Sequence, residues 1–371
     1  MDSVKIFHIA DLHLDAPFTG MSATEAASCK NGLRSAFAKA LLAAKNRGVK
    51  LFFIAGDLFD GDFVSPDTEE FLAEKFASYP DCRFFIAPGN HDPYTPGSFY
   101  AKGLLPANVH VFKGRERVEL EELGVDVYGF GFTAKQCTES PVTGFRPLRE
   151  DRINILVCHG DVGVENSVYG PIKKEDIGKI PFDYIALGHI HKASEVLKQN
   201  GTYYAYSGCI EGRGFDETGE KGGLYGTVSK GEVQLSRFPL SVRRYEIAEV
   251  DISGMESRLQ VMDAIRCAIK PYGGMRVRIV LTGSPKEAFF ISADMFSTGG
   301  SDPDYIEIKD KSLPAPDISV IEQENTLRGA FYRRMSKRIS ALAEDDPQRE
   351  VCIAALKAGL AALDGRDPTE V

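Results

Sequence analysis

Val4-Lys5-Ile6-Phe7-His8-Ile9-Ala10-Asp11-Leu12-His13 begins as an apolar run and ends on a carboxylate and an imidazole. The run is nearly continuous in Ile, Val and Phe, which suits a strand covered on both faces. In extended backbone, residues two apart point to the same side, so Asp11 and His13 can both reach one cation. His8 falls on the opposite strand face from Asp11 and is read as packing, or as support behind the ligands.

Four further runs end the same way. Residues 49–55 lead into Gly56-Asp57, 83–87 into Gly89-Asn90-His91-Asp92, 153–158 into His159-Gly160, and 184–187 into Gly188-His189-Ile190-His191. Five of the seven histidines lie in these motifs, leaving His8 and His110 outside. Imidazoles, carboxylates and an amide gathered from several strand ends are ligands for divalent transition metals. Chain beyond the carboxyl ends of strands converges on one crevice in α/β sheets. Glycines beside the ligands let backbone turn sharply or approach closely. Cys158 adjoins His159 but points the other way along the strand and reads as a core thiol.

Helical patterns separate the early strands. Over 22–47, Leu33, Phe37, Ala40, Leu41 and Ala44 recur at helical spacing before Gly48. Residues 68–79 read alike, and 125–132 as another strand. Such alternation predicts a layered α/β architecture with helices outside the sheet. Residues 203–206 and 224–238 read as strands, the latter a hairpin turning at Lys230-Gly231. Beyond Pro239, strands at 244–252, 276–281 and 305–308 and a helix at 255–269 suggest a histidine-free β/α cap. Residues 282–304, rich in Gly, Ser and Pro, read as a long connection. Ser312-Leu313-Pro314-Ala315-Pro316 reads as a linker before helices at 325–343 and 347–363. The expected domains are 1–238 (catalytic), 239–311 (cap) and 312–371 (linker and helices).

Composition sets outer limits. A hydrophobic share of 43% over 371 residues suits a globular protein of more than one domain. The first residues run straight into a strand, with no leader pattern, and no apolar run reaches membrane-spanning length. Seven scattered cysteines without a C-x-x-C pair suggest reduced thiols and a cytoplasmic setting. A net charge of −9 argues against nonspecific coating of nucleic acid by overall charge. It leaves phosphate substrates open, because bound metals set their own local field.

In this order, D-x-H, G-D, G-N-H-D, H-G and G-H-x-H resemble the calcineurin-like metallophosphoesterase superfamily. Within it, His8–Asp15, Gly56-Asp57-Leu58-Phe59-Asp60 and Tyr206-Ser207-Gly208-Cys209-Ile210-Glu211-Gly212-Arg213 look like the SbcD-type DNA repair nucleases. The Asp-Leu-His-Leu-Asp-Ala-Pro-Phe segment resembles the bacterial YhaO branch. The likeness is specific over 4–230, weak over the cap and minimal over the last fifty residues. It implies an α/β/β/α sandwich with a smaller β/α cap and C-terminal helices. It implies one metal on Asp11, His13 and His191, a second on Asn90, His159 and His189, and Asp57 bridging both. His91 resembles the family's catalytic histidine, with Asp92 expected to orient it. Arg213 is a substrate-phosphate candidate. The oxygen and nitrogen donor set suits manganese, with iron or zinc as alternatives.

The expected activity is therefore metal-dependent phosphodiester hydrolysis on DNA, exonucleolytic and endonucleolytic. The resemblance also implies DNA, an SbcC-like coiled-coil ATPase and a second copy of the chain as partners, with no membrane. Two rivals stand beside it: hydrolysis of a small phosphate ester such as a cyclic nucleotide, and a DNA-end-binding scaffold with a vestigial nuclease. Arg328, Arg333, Arg334, Lys337 and Arg338 form a basic helix that reads either as a solvated face or as a DNA or partner contact. Tyr94 and Tyr169 could stack on a base, although packing is the commoner fate of tyrosine.

Overall fold

The computed structural model describes residues 3–61, 63–286, 289–312, 318–343 and 346–365. Elements are numbered in chain order. Two compact units divide the described chain: residues up to 248 with 269–278 and 296–307, and residues 249–268, 279–295 and 308 onward.

The first unit is built on two six-stranded sheets. In one, β1 (Ser3–Ile9), β2 (Leu51–Ile54), β3 (Arg83–Ile86) and β4 (Val109–Val111) run parallel. The hairpin of β13 (Gly222–Ser229) and β14 (Glu232–Pro239) extends it antiparallel beyond β1, giving the order β14-β13-β1-β2-β3-β4. That hairpin turns at Lys230-Gly231, as its sequence predicts. The other sheet has β6 (Val125–Phe130), β7 (Ile153–His159), β10 (Tyr184–Gly188) and β12 (Thr202–Tyr206) in parallel. Antiparallel edges β5 (Arg115–Leu120) and β11 (Leu197–Gln199) complete the order β11-β12-β10-β7-β6-β5. Short β8 (Asp161–Val162) and β9 (Pro171–Ile172) pair just beyond β7.

Strand alternation sorts these side chains into layers. Ile6, Phe53 and Phe85 of the first sheet share a buried core with Val127, Ile155 and Ala186 of the second. Phe7, Phe52 and Phe84 face the other way, against Leu33, Phe37, Leu41 and Phe76 of the helices α1 (Ala23–Asn46) and α2 (Pro66–Ala77). Ser22 and Glu25 close a reciprocal capping box on α1, and Ser65 caps α2 just before Pro66 at its first turn. Loops and the short α3 (Lys174–Ile177) cover the outer face of the second sheet, where Phe132, Phe145 and Phe182 pack on Leu156 and Ile185. The layered α/β class thus holds, with a thin outermost layer on that side. His8 points into the core between the sheets. Its Nδ1 lies 2.9 Å from the Tyr184 hydroxyl, and burial pushes its pKa down to about 3. It is a neutral packing residue.

Beyond β14, β15 (Tyr245–Asp251), β16 (Arg276–Thr282) and β17 (Tyr305–Asp310) make a three-stranded sheet. The second unit contains α4 (Arg258–Ile269) through Ala268, α5 (Ile318–Gln323), α6 (Leu327–Ser340) and α7 (Pro347–Leu363). Linker residues 313–316 lie outside the described residues. On α6, Arg328 is held by Glu324 and Asp364, and Arg333 by the carbonyls of Glu322 and Glu324. Arg334, Lys337 and Arg338 are exposed. Among the described residues no helix is long and apolar enough to cross a membrane.

Candidate metal centre

All five motifs emerge from the carboxyl ends of parallel strands, three from the first sheet and two from the second. The first two loops are laced together: Asp11 N donates to Gly56 O at 3.1 Å, and His13 N to Asp57 O at 3.0 Å. Asp11, His13, Asp57 and His189 all have left-handed backbone, with φ of 53°, 48°, 51° and 104°. Strain of this kind persists only where the surroundings over-determine it. Gly56 shows how tight the surroundings are. Its φ is +92°, and a Cβ there would stand 2.2 Å from His159 Nδ1. At Gly89 a Cβ would stand 2.3 Å from Asp57 Oδ1.

The donor atoms fall into two groups that share Asp57. Those of Asp11, His13 and His191 lie within 4.8 Å of one another, as do those of Asp57, His159 and His189. His13 Nε2 and His191 Nε2 are 3.2 Å apart. His159 Nε2 is 3.2 Å from His189 Nδ1, and Asn90 Oδ1 is 3.0 and 3.1 Å from those two atoms. Asp57 Oδ2 lies 3.4 Å from His159 Nε2 and 3.8 Å from His13 Nε2. The structure thus brings together the seven residues that the resemblance groups, with Asp57 near both sets.

Each converging imidazole has an oxygen near its other nitrogen. His159 Nδ1 lies 2.9 Å from Ala55 O, and His191 Nδ1 lies 2.6 Å from Glu217 Oε1. His13 Nδ1 is 2.8 Å from Asp60 Oδ1, and His189 Nε2 is 3.3 Å from Asp161 Oδ1. The hydrogen bonds behind His159 and His191 fix the tautomer that aims a lone pair inward, the arrangement by which proteins orient metal-binding histidines, and the Asp60 and Asp161 carboxylates lie close behind the other two rings. Converging lone pairs, two carboxylates and an amide oxygen fit a pair of divalent cations. Cys209 also borders His191 and Glu217, but burial pushes its thiol up to about 12, so no thiolate joins the set.

Sequence reasoning missed Asp60, Asp161 and Glu217 as bracing groups. Asp60 stood in the quoted Gly-Asp-Leu-Phe-Asp motif. Glu217 comes from a glycine-rich loop that gave no signal for it.

One expected role is corrected. Asp92 does not orient the His91 ring. Its buried carboxylate accepts the backbone N–H groups of Gly89, Asp57, Leu58 and Phe59 at 2.7–3.3 Å and the Tyr100 hydroxyl at 2.5 Å. It clamps the Asp57 loop onto the His91 loop. The groups beside the His91 ring belong to Asp60, whose Oδ1 lies 3.6 Å and whose carbonyl oxygen 3.4 Å from Nδ1. Arg213, the substrate-phosphate candidate, donates to Asp60 Oδ1 and Glu217 Oε1, both at 3.1 Å. It ties together the carboxylates that brace His13 and His191.

Electrostatics follow from this packing. Burial opposes ionisation of Asp57, but His159, His13 and His91 outweigh it and hold the carboxyl below the usual range. Burial likewise works against a charged His159, yet Asp57 and Asp11 raise its pKa to about 9. Burial and then the Asp57 charge push Asp92 up to about 7. Cys158 is a buried core thiol with a raised pKa, and His110 pairs with Glu116 at 3.0 Å away from the centre.

The calcineurin-like phosphoesterase family matches residues 4–193, which include all seven converging donors. The chain belongs to that family. Calcineurin-like phosphoesterases bind two divalent metals, in agreement with the two groups sharing Asp57. Among curated relatives of this phosphoesterase, the uncharacterized metallophosphoesterase YhaO of Bacillus subtilis is 29% identical over 303 residues, 77% of this chain and 74% of that protein. The DNA double-strand break repair protein Mre11 of Saccharolobus solfataricus is 25% identical over 272 residues, 68% of each chain. Among solved structures, TT1561 of Thermus thermophilus aligns with a TM-score of 0.37 at 12% identity, over 61% of this chain and 97% of that one.

Proposed function

We propose that this phosphoesterase is a two-metal phosphodiesterase of SbcD type that cuts DNA. The observation that carries the two-metal reading is Asp57 Oδ2, placed within 4 Å of a ligand nitrogen from each donor group. Bound cations would acidify a water and polarise the phosphoryl oxygens. Asp11, His13 and His191 would hold one, Asn90, His159 and His189 the other, and Asp57 both. The His91 ring is exposed at the rim and stands 4.7 Å, edge-on, from the His13 ring. With Nδ1 turned toward Asp60, Nε2 is the atom left to hand a proton to the leaving oxygen. The His91 backbone N–H donates to Asp57 Oδ1 at 2.9 Å, so the proton donor and the shared carboxylate move as one body.

Support for DNA as substrate comes from the likeness to Mre11, a DNA double-strand break repair protein. The nitrogen and oxygen donors favour manganese, with iron or zinc next. An SbcC-like ATPase, a second copy of the chain and a cytoplasmic location belong to the same reading. Labelled linear DNA incubated with manganese tests it. The native chain should shorten or nick the DNA, and His91→Ala should lose roughly 100-fold or more in rate while keeping its metal. Hydrolysis of bis-p-nitrophenyl phosphate without DNA cleavage would replace DNA with a small ester. Tight DNA binding with no metal-dependent hydrolysis of either would make the chain a scaffold.

A further inference from the structure

Two tyrosines follow ligand motifs in the sequence, and the structure treats them differently. Tyr94 packs against the core between the first sheet and its helices. Tyr169 belongs to no buried cluster and remains 36% exposed, large for an aromatic ring beside a buried centre. Its ring lies 5.4 Å from that of His189, tilted by 42°. No hydrogen bond engages its hydroxyl among the described residues.

The loop carrying Tyr169 is fixed rather than draped. Tyr169 N donates to Ser167 Oγ at 3.0 Å, and Ser167 Oγ donates to Asp161 Oδ2. The other oxygen of that carboxylate, Oδ1, lies 3.3 Å from His189 Nε2. Cys137 N donates to Val168 O, and Gly170 N to Cys137 O, both at 2.7 Å. A metal-ligand imidazole and an exposed aromatic ring therefore share one rigid support. Ile190, between His189 and His191 in the sequence, also stays 38% exposed.

We infer that Tyr169 is a base-contacting residue: its open face stacks the nucleobase attached to the phosphate held beside His189. This rests on the phosphodiesterase reading and narrows its substrate class to nucleotide esters whose base is unpaired at the cut. A paired base is sandwiched in its own duplex and has no free face, whereas a single-stranded or frayed end offers one. Tyrosine suits the task because a planar ring with two side-chain torsions gives much contact area at little entropy cost. Held in place before substrate arrives, it adds affinity without an ordering penalty.

The test compares two esters with one leaving group, thymidine 5′-(p-nitrophenyl phosphate) and methyl p-nitrophenyl phosphate, in the manganese-loaded full chain. Tyr169→Ala should raise KM for the thymidine ester roughly 10-fold and leave the methyl ester within about 2-fold. Tyr169→Phe should restore the native value on both. Equilibrium binding of a fluorescent oligothymidine, measured with calcium in place of manganese, should weaken to the same extent. Binding of an abasic strand of equal length should not change. Equal losses on both esters, or unchanged values on both, would overturn the base contact and leave phosphodiester hydrolysis standing. Failure of the native chain to hydrolyse either ester would overturn both readings.

Discussion

His191 and Glu217 are joined at 2.6 Å, although they lie in different loops and only His191 belongs to a recognisable motif. Burial opposes a charge on Glu217, but His191 and Arg213 outweigh it and keep the carboxylate ionised. The ring is thereby held with Nε2 facing His13. Glu217→Gln keeps the shape and removes the charge, so manganese affinity should fall roughly 10- to 100-fold. Isothermal titration of the metal-free chain measures this, and an unchanged affinity would sink the bracing role.

Asp92 answers to stability before chemistry. Asp92→Asn would turn an NH2 group toward backbone donors that now converge on carboxylate oxygens, stranding at least one buried N–H. Unfolding free energy should drop by roughly 1–3 kcal/mol, read from the urea midpoint at unchanged slope. A variant with native stability would show that the clamp is dispensable.

Gly56 and Gly48 make a matched pair for substitution by alanine. Both have left-handed backbone, at +92° and +64°, but a methyl group on Gly48 would meet nothing within 4 Å, while one on Gly56 would face His159. Gly48→Ala should cost about 1 kcal/mol, the backbone penalty alone. Gly56→Ala should cost more and also displace His159, lowering metal content after dialysis. Equal melting temperatures for the two variants would contradict the close approach.

Glu211 supplies a pH dependence away from the metals. Its buried carboxylate accepts the backbone N–H groups of Val242 at 2.6 Å and Arg243 at 2.8 Å, yet burial still pushes its pKa up from 4.5 to about 7. The folded state therefore holds this proton more tightly than the unfolded one. Its contribution to stability is fully present below about pH 4.5 and is lost as pH rises through about 7. Urea unfolding from pH 4.5 to 8 should fall less steeply in Glu211→Gln than in the native chain. Parallel slopes would remove Glu211 from the account.

Much of the centre was legible because its signals are local. An apolar run stopping on Asp11 or His189 marks both a strand and the crevice at its end, and the resemblance to calcineurin-like phosphoesterases then sorts the seven donors from His91. What sets the backs of the rings was not legible. Asp60, Asp161 and Glu217 each reach a histidine far along the chain, and no periodicity encodes such a contact. Asp92 was misjudged for a related reason: adjacency to His91 suggested a partner, whereas the folded loops offered it four backbone donors. Edge strands β4 and β5 also escaped notice, their half-exposed residues lacking the continuous apolar character of the central strands.

The left-handed backbone at Asp11, His13, Asp57 and His189 gathers local strain at one point of the fold. Glycine would sit at each of these four positions with less strain than the residue present, by about 1 kcal/mol apiece. The donor cluster therefore carries a standing mechanical load, held in place by the hydrogen bonds that lace the Asp11 and Asp57 loops together.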